Sequence, residues 1–170
     1  FEHFINWLAY IYQNKQKTMT AWIFTGVPGT GKGLFVHKIL KPLFGEQQVP
    51  MRSLENIEEQ FNLYMRTALF LVVDEFRMSD SGNTNRMADK LKHQVTEPTL
   101  TIRAMRTNQV ELPSFCNFIF LTNRGDAVKI EDGDRRYNVG PRQESKLQHS
   151  IPELLDNLDK LSSELYYFAG

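Results

Sequence analysis

The chain has 170 residues, a length that suits one domain. Hydrophobic residues make up 41% and charged residues 24%, which supports a real core and excludes a disordered chain. Net charge is zero, which argues against wholesale coating of nucleic acid but leaves room for a few basic groups in a channel.

The chain opens on Phe1 inside an amphipathic pattern, so it is expected to be a piece of a longer protein, with no secretory leader. No apolar run approaches the roughly 18 residues of a membrane span, and no membrane partner is expected. Cys116 is the single cysteine; its apolar neighbours make it a core residue and it excludes an internal disulfide.

Phe4, Ile5, Leu8, Ile11 and Tyr12 recur at helical spacing, and the polar stretch from Gln13 to Thr20 ends that helix. Ala21 to Thr25 reads as a short buried strand, followed by a glycine-rich loop, Gly26 to Gly33. Leu34 to Leu40 is predicted as a helix closed by Lys41-Pro42, and Gly45 to Pro50 as a turn. A further helix is predicted over Asn56 to Arg66. Ala68 to Val73 is a continuous apolar run ending in Asp74-Glu75, the pattern of a central parallel strand covered on both faces.

Asp80 to Asn85 is a polar loop, Arg86 to Val95 a helix, and Thr99 to Ile102 and Gln109 to Leu112 two short strands joined by a basic tip. Asn117 to Leu121 is a third buried strand ending at Thr122-Asn123, with a loop from Gly125 to Arg136; Phe115 just before it is expected in the core. Ser150 to Glu153 has capping-box spacing ahead of a stripe of leucines from Leu154 to Leu165. Strands alternating with helices predict an α/β three-layer sandwich around a mainly parallel sheet. The chain divides into a helical N-terminal flank (1–20), a core (21–145) and a C-terminal helix and tail (146–170).

Gly26-Val27-Pro28-Gly29-Thr30-Gly31-Lys32-Gly33 nearly matches the phosphate-loop pattern G-x-x-x-x-G-K-[ST]. Glycines let the backbone curl so that its N–H groups face phosphate oxygens, and the next helix, entered at Leu34, aims its positive end at the same point. Lys32 supplies a point charge for the β- and γ-phosphates. Gly33 departs from the pattern: a Ser or Thr there would offer a hydroxyl to Mg²⁺, a role that would pass to a water or to Thr30.

Asp74, at a strand end, suits Mg²⁺ or its water, and Glu75 suits polarisation of an attacking water. Asn123 ends another buried strand, where a neutral amide could orient that water or touch the γ-phosphate. Arg135 and Arg136 carry permanent planar charge suited to a phosphoryl transition state, and a neighbouring subunit could supply them. The competing reading is a surface pair with Glu131 or Asp132.

With these motifs in this order, the chain resembles a superfamily 3 helicase domain, an AAA+-type ring ATPase, in the form found in phage and plasmid primases and primase–polymerases. The resemblance runs from Phe4 to about Val139 and implies a P-loop NTPase fold, ATP and Mg²⁺, and a ring of six subunits. It also implies single-stranded DNA as partner, an attached primase or polymerase domain, and a phage or plasmid protein working in the host cytoplasm. It makes Asn123 the γ-phosphate sensor and places the arginine finger at Asp134-Arg135-Arg136. It sets a DNA-contacting hairpin within Lys90 to Leu112, with Arg103 and Arg106 as the basic candidates. Two rival readings stand beside this one. A ring scaffold would bind nucleotide or DNA with little hydrolysis, which Gly33 favours. A small-molecule kinase fits Asn123 and the late arginine pair poorly.

Overall fold

The computed structural model describes residues 1–57, 61–77, 83–102, 110–125, 130, 133–147 and 157. Its centre is a five-stranded parallel sheet built from β1 (Ala21–Thr25), β2 (Met51–Ser53), β3 (Phe70–Asp74), β6 (Asn117–Thr122) and β7 (Tyr137–Val139), in the order β2-β3-β6-β1-β7. β4 (Thr99–Ile102) and β5 (Val110–Pro113) form a separate antiparallel hairpin.

Why β3 and β6 lie in the middle follows from composition. Their residues are apolar at nearly every position, so both faces must be covered. Successive side chains point to opposite faces. Leu71, Val73, Phe118 and Phe120 face Ile57, then Phe61 and Met65 of α4 (Phe61–Thr67) and Leu91 and Val95 of α5 (Asn83–Thr96). Phe70, Val72, Ile119 and Leu121 face the other way. They meet Phe4, Trp7, Leu8 and Ile11 of α1 (Glu2–Asn14), and Val36, Leu40 and Phe44. The result is the expected mixed α/β fold with helices on both faces of a parallel sheet. The N-terminal helix is thus part of one of the two cores.

Lys15, in the left-handed region at φ 51°, ends α1 with its N–H on Ile11 O. Asn117 anchors the loop that follows: its side-chain oxygen accepts from Thr18 N and Thr18 Oγ1, and its nitrogen donates to the carbonyls of Gln16, Leu69 and Phe115. That buried amide is fully satisfied, as burial demands.

Several predicted boundaries move. The helix after the glycine loop does not stop at Lys41-Pro42. It runs as α2 (Lys32–Phe35), a π-helical turn (Val36–Leu40) and α3 (Lys41–Phe44). Proline lacks the N–H for a normal helical bond and its ring clashes with the carbonyl four residues back; the wider turn before Pro42 relieves both. Of the helix predicted over Asn56 to Arg66, the described residues show α4 (Phe61–Thr67), with a 3₁₀ turn at Leu54–Asn56 ahead of it; residues 58–60 lie outside the described residues. β2 and β7, three residues each, were not predicted. Phe115 is 45% exposed, against expectation; it lies in the bend between β5 and β6, where Ser114 and Cys116 turn inward instead.

Candidate functional site

Three neighbouring strands, β3, β6 and β1, deliver the predicted residues to one end of the sheet. β1 ends at Thr25 and opens into the glycine loop. Gly29 and Gly31 adopt φ +86° and +89°, a region side chains other than glycine rarely enter. Gly26 is required for space: a β-carbon there would lie 2.8 Å from Gln143 O and 2.9 Å from Thr30 Oγ1. α2 begins at Lys32, with Phe35 N–H closing on Gly31 O at 2.9 Å. Its first amides have no partner within the helix and face the loop.

Lys32 Nζ turns into the loop, donating to Gly26 O at 2.8 Å, Val27 O at 3.2 Å and Thr30 Oγ1 at 3.2 Å. Burial lowers its pKa; the Asp74 carboxylate opposes that shift and the Arg142 guanidinium adds to it. Asp74 ends β3. Glu75 follows in the left-handed region at φ 53°, its N–H held by Asp74 Oδ1 at 2.9 Å. A glutamate in that conformation costs energy, and such strain persists where surrounding structure fixes it. Here Phe76 fixes it: its buried ring sits 4.4 Å from that of Phe120, and its N–H donates to Leu121 O at 2.9 Å. Asn123 follows β6 directly, in the turn where Arg124 N–H meets Thr122 Oγ1.

These groups share a cavity of about 350 Å³. Pro28, Gly29, Thr30, Gly31, Lys32, Gly33 and Leu34 form one wall, and Asp74, Glu75 and Asn123 the other. Gly26 contributes its carbonyl to Lys32 rather than surface to the cavity. The donor set fits a hydrated Mg²⁺, an ion held by one or two carboxylates plus phosphate oxygens: Asp74 and Glu75 stand at the strand end and Thr30 lines the same space. Among the described residues no group of three or more His, Cys, Asp or Glu side chains is placed to cage a metal by itself.

The arginine pair lies elsewhere. Arg136 O accepts from Ala21 N–H at 2.7 Å, so the pair sits beside the start of β1, whereas the phosphate loop leaves its end. Five residues of strand separate Ala21 from Gly26, roughly 17 Å. The two arginines are not equivalent. Arg136 forms a paired contact with Asp134, Nε to Oδ1 at 2.8 Å and Nη2 to Oδ2 at 2.7 Å, which holds the Asp134 carboxyl down at about 2. Arg135 is exposed. Among the described residues Asp134 pairs with Arg136; Glu131 and Asp132, the partners of the competing reading, lie outside the described residues. Arg103 and Arg106, and the leucine stripe from Leu154 to Leu165, lie outside the described residues.

One segment at the site gave no usable sequence signal. Chain leaving β7 runs on beside β1: Gln143 N donates to Thr25 O at 2.9 Å, Val27 N to Gln143 O at 2.9 Å, and Leu147 N to Gly29 O at 3.1 Å. Residues 140–147 therefore strap the glycine loop from the side. Nothing in Gly140 to Leu147 marks a strand or a helix. Only Gly140-Pro141, a turn dipeptide, hints at the change of direction.

Residues 24–136 match the model of a family of unknown function, DUF5906. The chain is 38% identical over 173 aligned positions to the DNA primase-polymerase of Nitratiruptor phage NrS-1, covering 98% of this chain and 24% of that protein. It thus spans about a quarter of that curated relative. Two solved apo structures of the NrS-1 C-terminal region superpose with TM-scores of 0.73 and 0.75, at 37% and 38% identity. They cover 98% of this chain in each case, and 40% and 41% of those chains. The similarity therefore falls in the C-terminal region of a phage primase-polymerase. Since the family model spans well over half of its length, the chain belongs to the DUF5906 family.

Proposed function

We propose that this chain is an ATP-binding and ATP-hydrolysing module of the P-loop, AAA+ type, working as a ring helicase or translocase on single-stranded DNA in phage or plasmid replication. One observation carries the reading: Lys32, the glycine loop, Asp74, Glu75 and Asn123 line a single cavity at the carboxyl ends of adjacent parallel strands. A triphosphate entering it would take the Lys32 ammonium from the carbonyls of Gly26 and Val27. Asp74, with Thr30, would hold Mg²⁺, whose chemistry there is to neutralise charge on the phosphates. Glu75 accepts the proton of the attacking water, and Asn123 orients that water or senses the γ-phosphate.

Arg135 belongs to the neighbouring subunit's site, a role supported by its exposure and by its distance from its own loop. The hexameric ring, the hairpin arginines Arg103 and Arg106 on DNA, and an attached primase or polymerase domain complete the reading. Similarity to a phage primase-polymerase supports that setting, and the host cytoplasm is then the compartment. Among the described residues no helix is long and apolar enough to cross a membrane.

The test is phosphate release from ATP with and without single-stranded DNA, beside a solution mass. E75Q should keep nucleotide binding and lose turnover by about 10²-fold or more; K32A should lose binding. Equal turnover in wild type, E75Q and K32A would end the reading. A second reading, a ring scaffold that binds nucleotide or DNA without appreciable hydrolysis, is favoured by Gly33, which leaves the start of α2 without a hydroxyl. It predicts tight binding with no phosphate release.

A further inference from the structure

The strap over the glycine loop carries a cation, Arg142, next to Asn123 of the cavity wall, and this residue lies outside those matched by the family model. Arg142 sits between the two backbone bonds that fasten the strap, Gly140 N–H to Ile23 O and Gln143 N–H to Thr25 O, both 2.9 Å. Its Nη1 donates to Asn123 O at 3.4 Å, and a β-carbon on Gly125 would lie 3.6 Å from the same nitrogen. Arg142 thus stands against the turn that carries Asn123 into the cavity. Its carboxylate neighbour is the exposed Glu144, at 3.6 Å from Nε. Both contacts exceed the about 3.2 Å of a well-made N–H···O bond, so the guanidinium is loosely held.

It is also close enough to Lys32 to depress that ammonium's pKa. Two like charges this near one another repel, and an anion of high charge between them would relieve that repulsion. The planar fork of arginine suits two oxygens of one phosphate, whereas Lys32 acts as a point charge. Arg135 and Arg136, at the other end of β1, cannot reach this place within the same subunit.

We propose that Arg142 is a phosphate-binding residue acting within its own subunit, engaging the terminal phosphate of a nucleoside triphosphate beside Asn123 and setting the preference for tri- over diphosphate. This rests on the nucleotide-site reading above. On it, one short strap both buttresses the loop, through Gln143 and Leu147, and presents the cation that distinguishes substrate from product.

The experiment is calorimetric titration of wild type, R142A, R142K and K32A with a non-hydrolysable ATP analogue (imido-bridged) and with ADP, both with Mg²⁺. R142A should weaken the triphosphate analogue about tenfold and ADP less than twofold, and R142K should recover part of the loss. K32A should weaken both. Unchanged analogue affinity in R142A, or equal losses on both nucleotides, overturns the assignment while leaving the nucleotide site standing. If wild type and K32A alike bind neither nucleotide, the underlying reading fails and the assignment with it. Should R142A not fold, R142Q keeps a donor for Asn123 O without the charge, and the same selective loss is expected.

Discussion

A β-carbon on Gly31 would lie 2.1 Å from Cδ1 of Leu147, a separation no pair of carbons sustains. Leu147 of the strap is thus seated on the residue just before α2, and Gly31 is needed for two reasons, its φ of +89° and the space taken by leucine. The strap in turn depends on the loop, because Leu147 N–H is satisfied by Gly29 O.

These two reasons can be separated. G31A should destabilise the protein by about 2–4 kcal/mol in chemical denaturation, the sum of a left-handed alanine and an overpacked contact. L147A removes the steric part only. The double variant should therefore be more stable than the sum of the single losses by about 1–2 kcal/mol. Strict additivity would mean that Leu147 does not seat on the loop.

Arg135 and Arg136 should part company under mutation. Arg136 pairs with Asp134, so R136A takes the charged partner from a carboxylate with side-chain exposure of only 4%, leaves it the backbone N–H of residue 136, and should lower stability by about 1–3 kcal/mol. R135A should leave stability unchanged within about 0.5 kcal/mol. On the ring reading R135A instead lowers ATP turnover by about 10³-fold or more. Mixing R135A with K32A subunits should restore part of the activity, since each interface then pairs an intact finger with an intact loop in some rings. Lost stability in R135A, or no complementation in the mixture, counts against a finger at this position.

What was legible in the sequence is what local chemistry forces. The glycine spacing before Lys32, the apolar run before Asp74 and the run before Asn123 each need specific residue types at fixed places, and all three meet at one cavity. Less legible were features set by neighbours. β2 and β7 lie at the two edges of the sheet, and their three residues carry no apolar run because each pairs with only one strand. Pro42 read as a helix stop because the widened turn that admits it is a three-dimensional accommodation. Arg142 carries no signal of its own, because its place depends on the strap's pairing with β1, which no residue pattern in 140–147 announces. Which of the two late arginines is free could be settled only by seeing Asp134 occupied.

Lys17 offers a pH readout independent of the nucleotide site. It reaches from the loop after α1 to the end of α5, donating to the carbonyls of Gln94 and of Glu97, the latter at 2.8 Å. Burial lowers its pKa from 10.5 to about 8, with Cys116 and Glu97 opposing. Burial raises the Cys116 thiol from 9.0 to about 12. The unfolded chain keeps the lysine proton to higher pH than the folded one, so this group makes stability rise from about pH 8 upward. The thiol acts oppositely: above about pH 9 the unfolded chain loses a proton that the folded protein holds, and stability falls. Between these two onsets Lys17 acts and Cys116 does not, with a slope of at most about 1.4 kcal/mol per pH unit, reduced by partial solvent screening. K17M should flatten that rise in denaturation midpoints, and C116A should remove the fall above it. A K17M profile parallel to wild type through this window would show that Lys17 keeps an ordinary pKa.

Gly33 decides between an active motor and a scaffold. It lines the cavity one residue past Lys32, where a hydroxyl could meet Mg²⁺. Space is available: a β-carbon on Gly33 would have Met51 Cε as its nearest neighbour, at 3.9 Å, and its φ lies outside the left-handed region. G33S should therefore be tolerated and gain about 0.5 kcal/mol of helix propensity. If Thr30 replaces the missing hydroxyl only in part, because its Oγ1 also accepts from Lys32 at 3.2 Å, G33S should raise ATP turnover several-fold at saturating Mg²⁺ and lower the Mg²⁺ concentration required. T30V should then reduce turnover strongly in wild type and weakly in the G33S background, since the serine would carry the role that Thr30 performs alone. A G33S protein as inactive as wild type, with nucleotide binding intact in both, would instead favour the scaffold, because supplying the one absent ligand would have been enough to reveal a competent site.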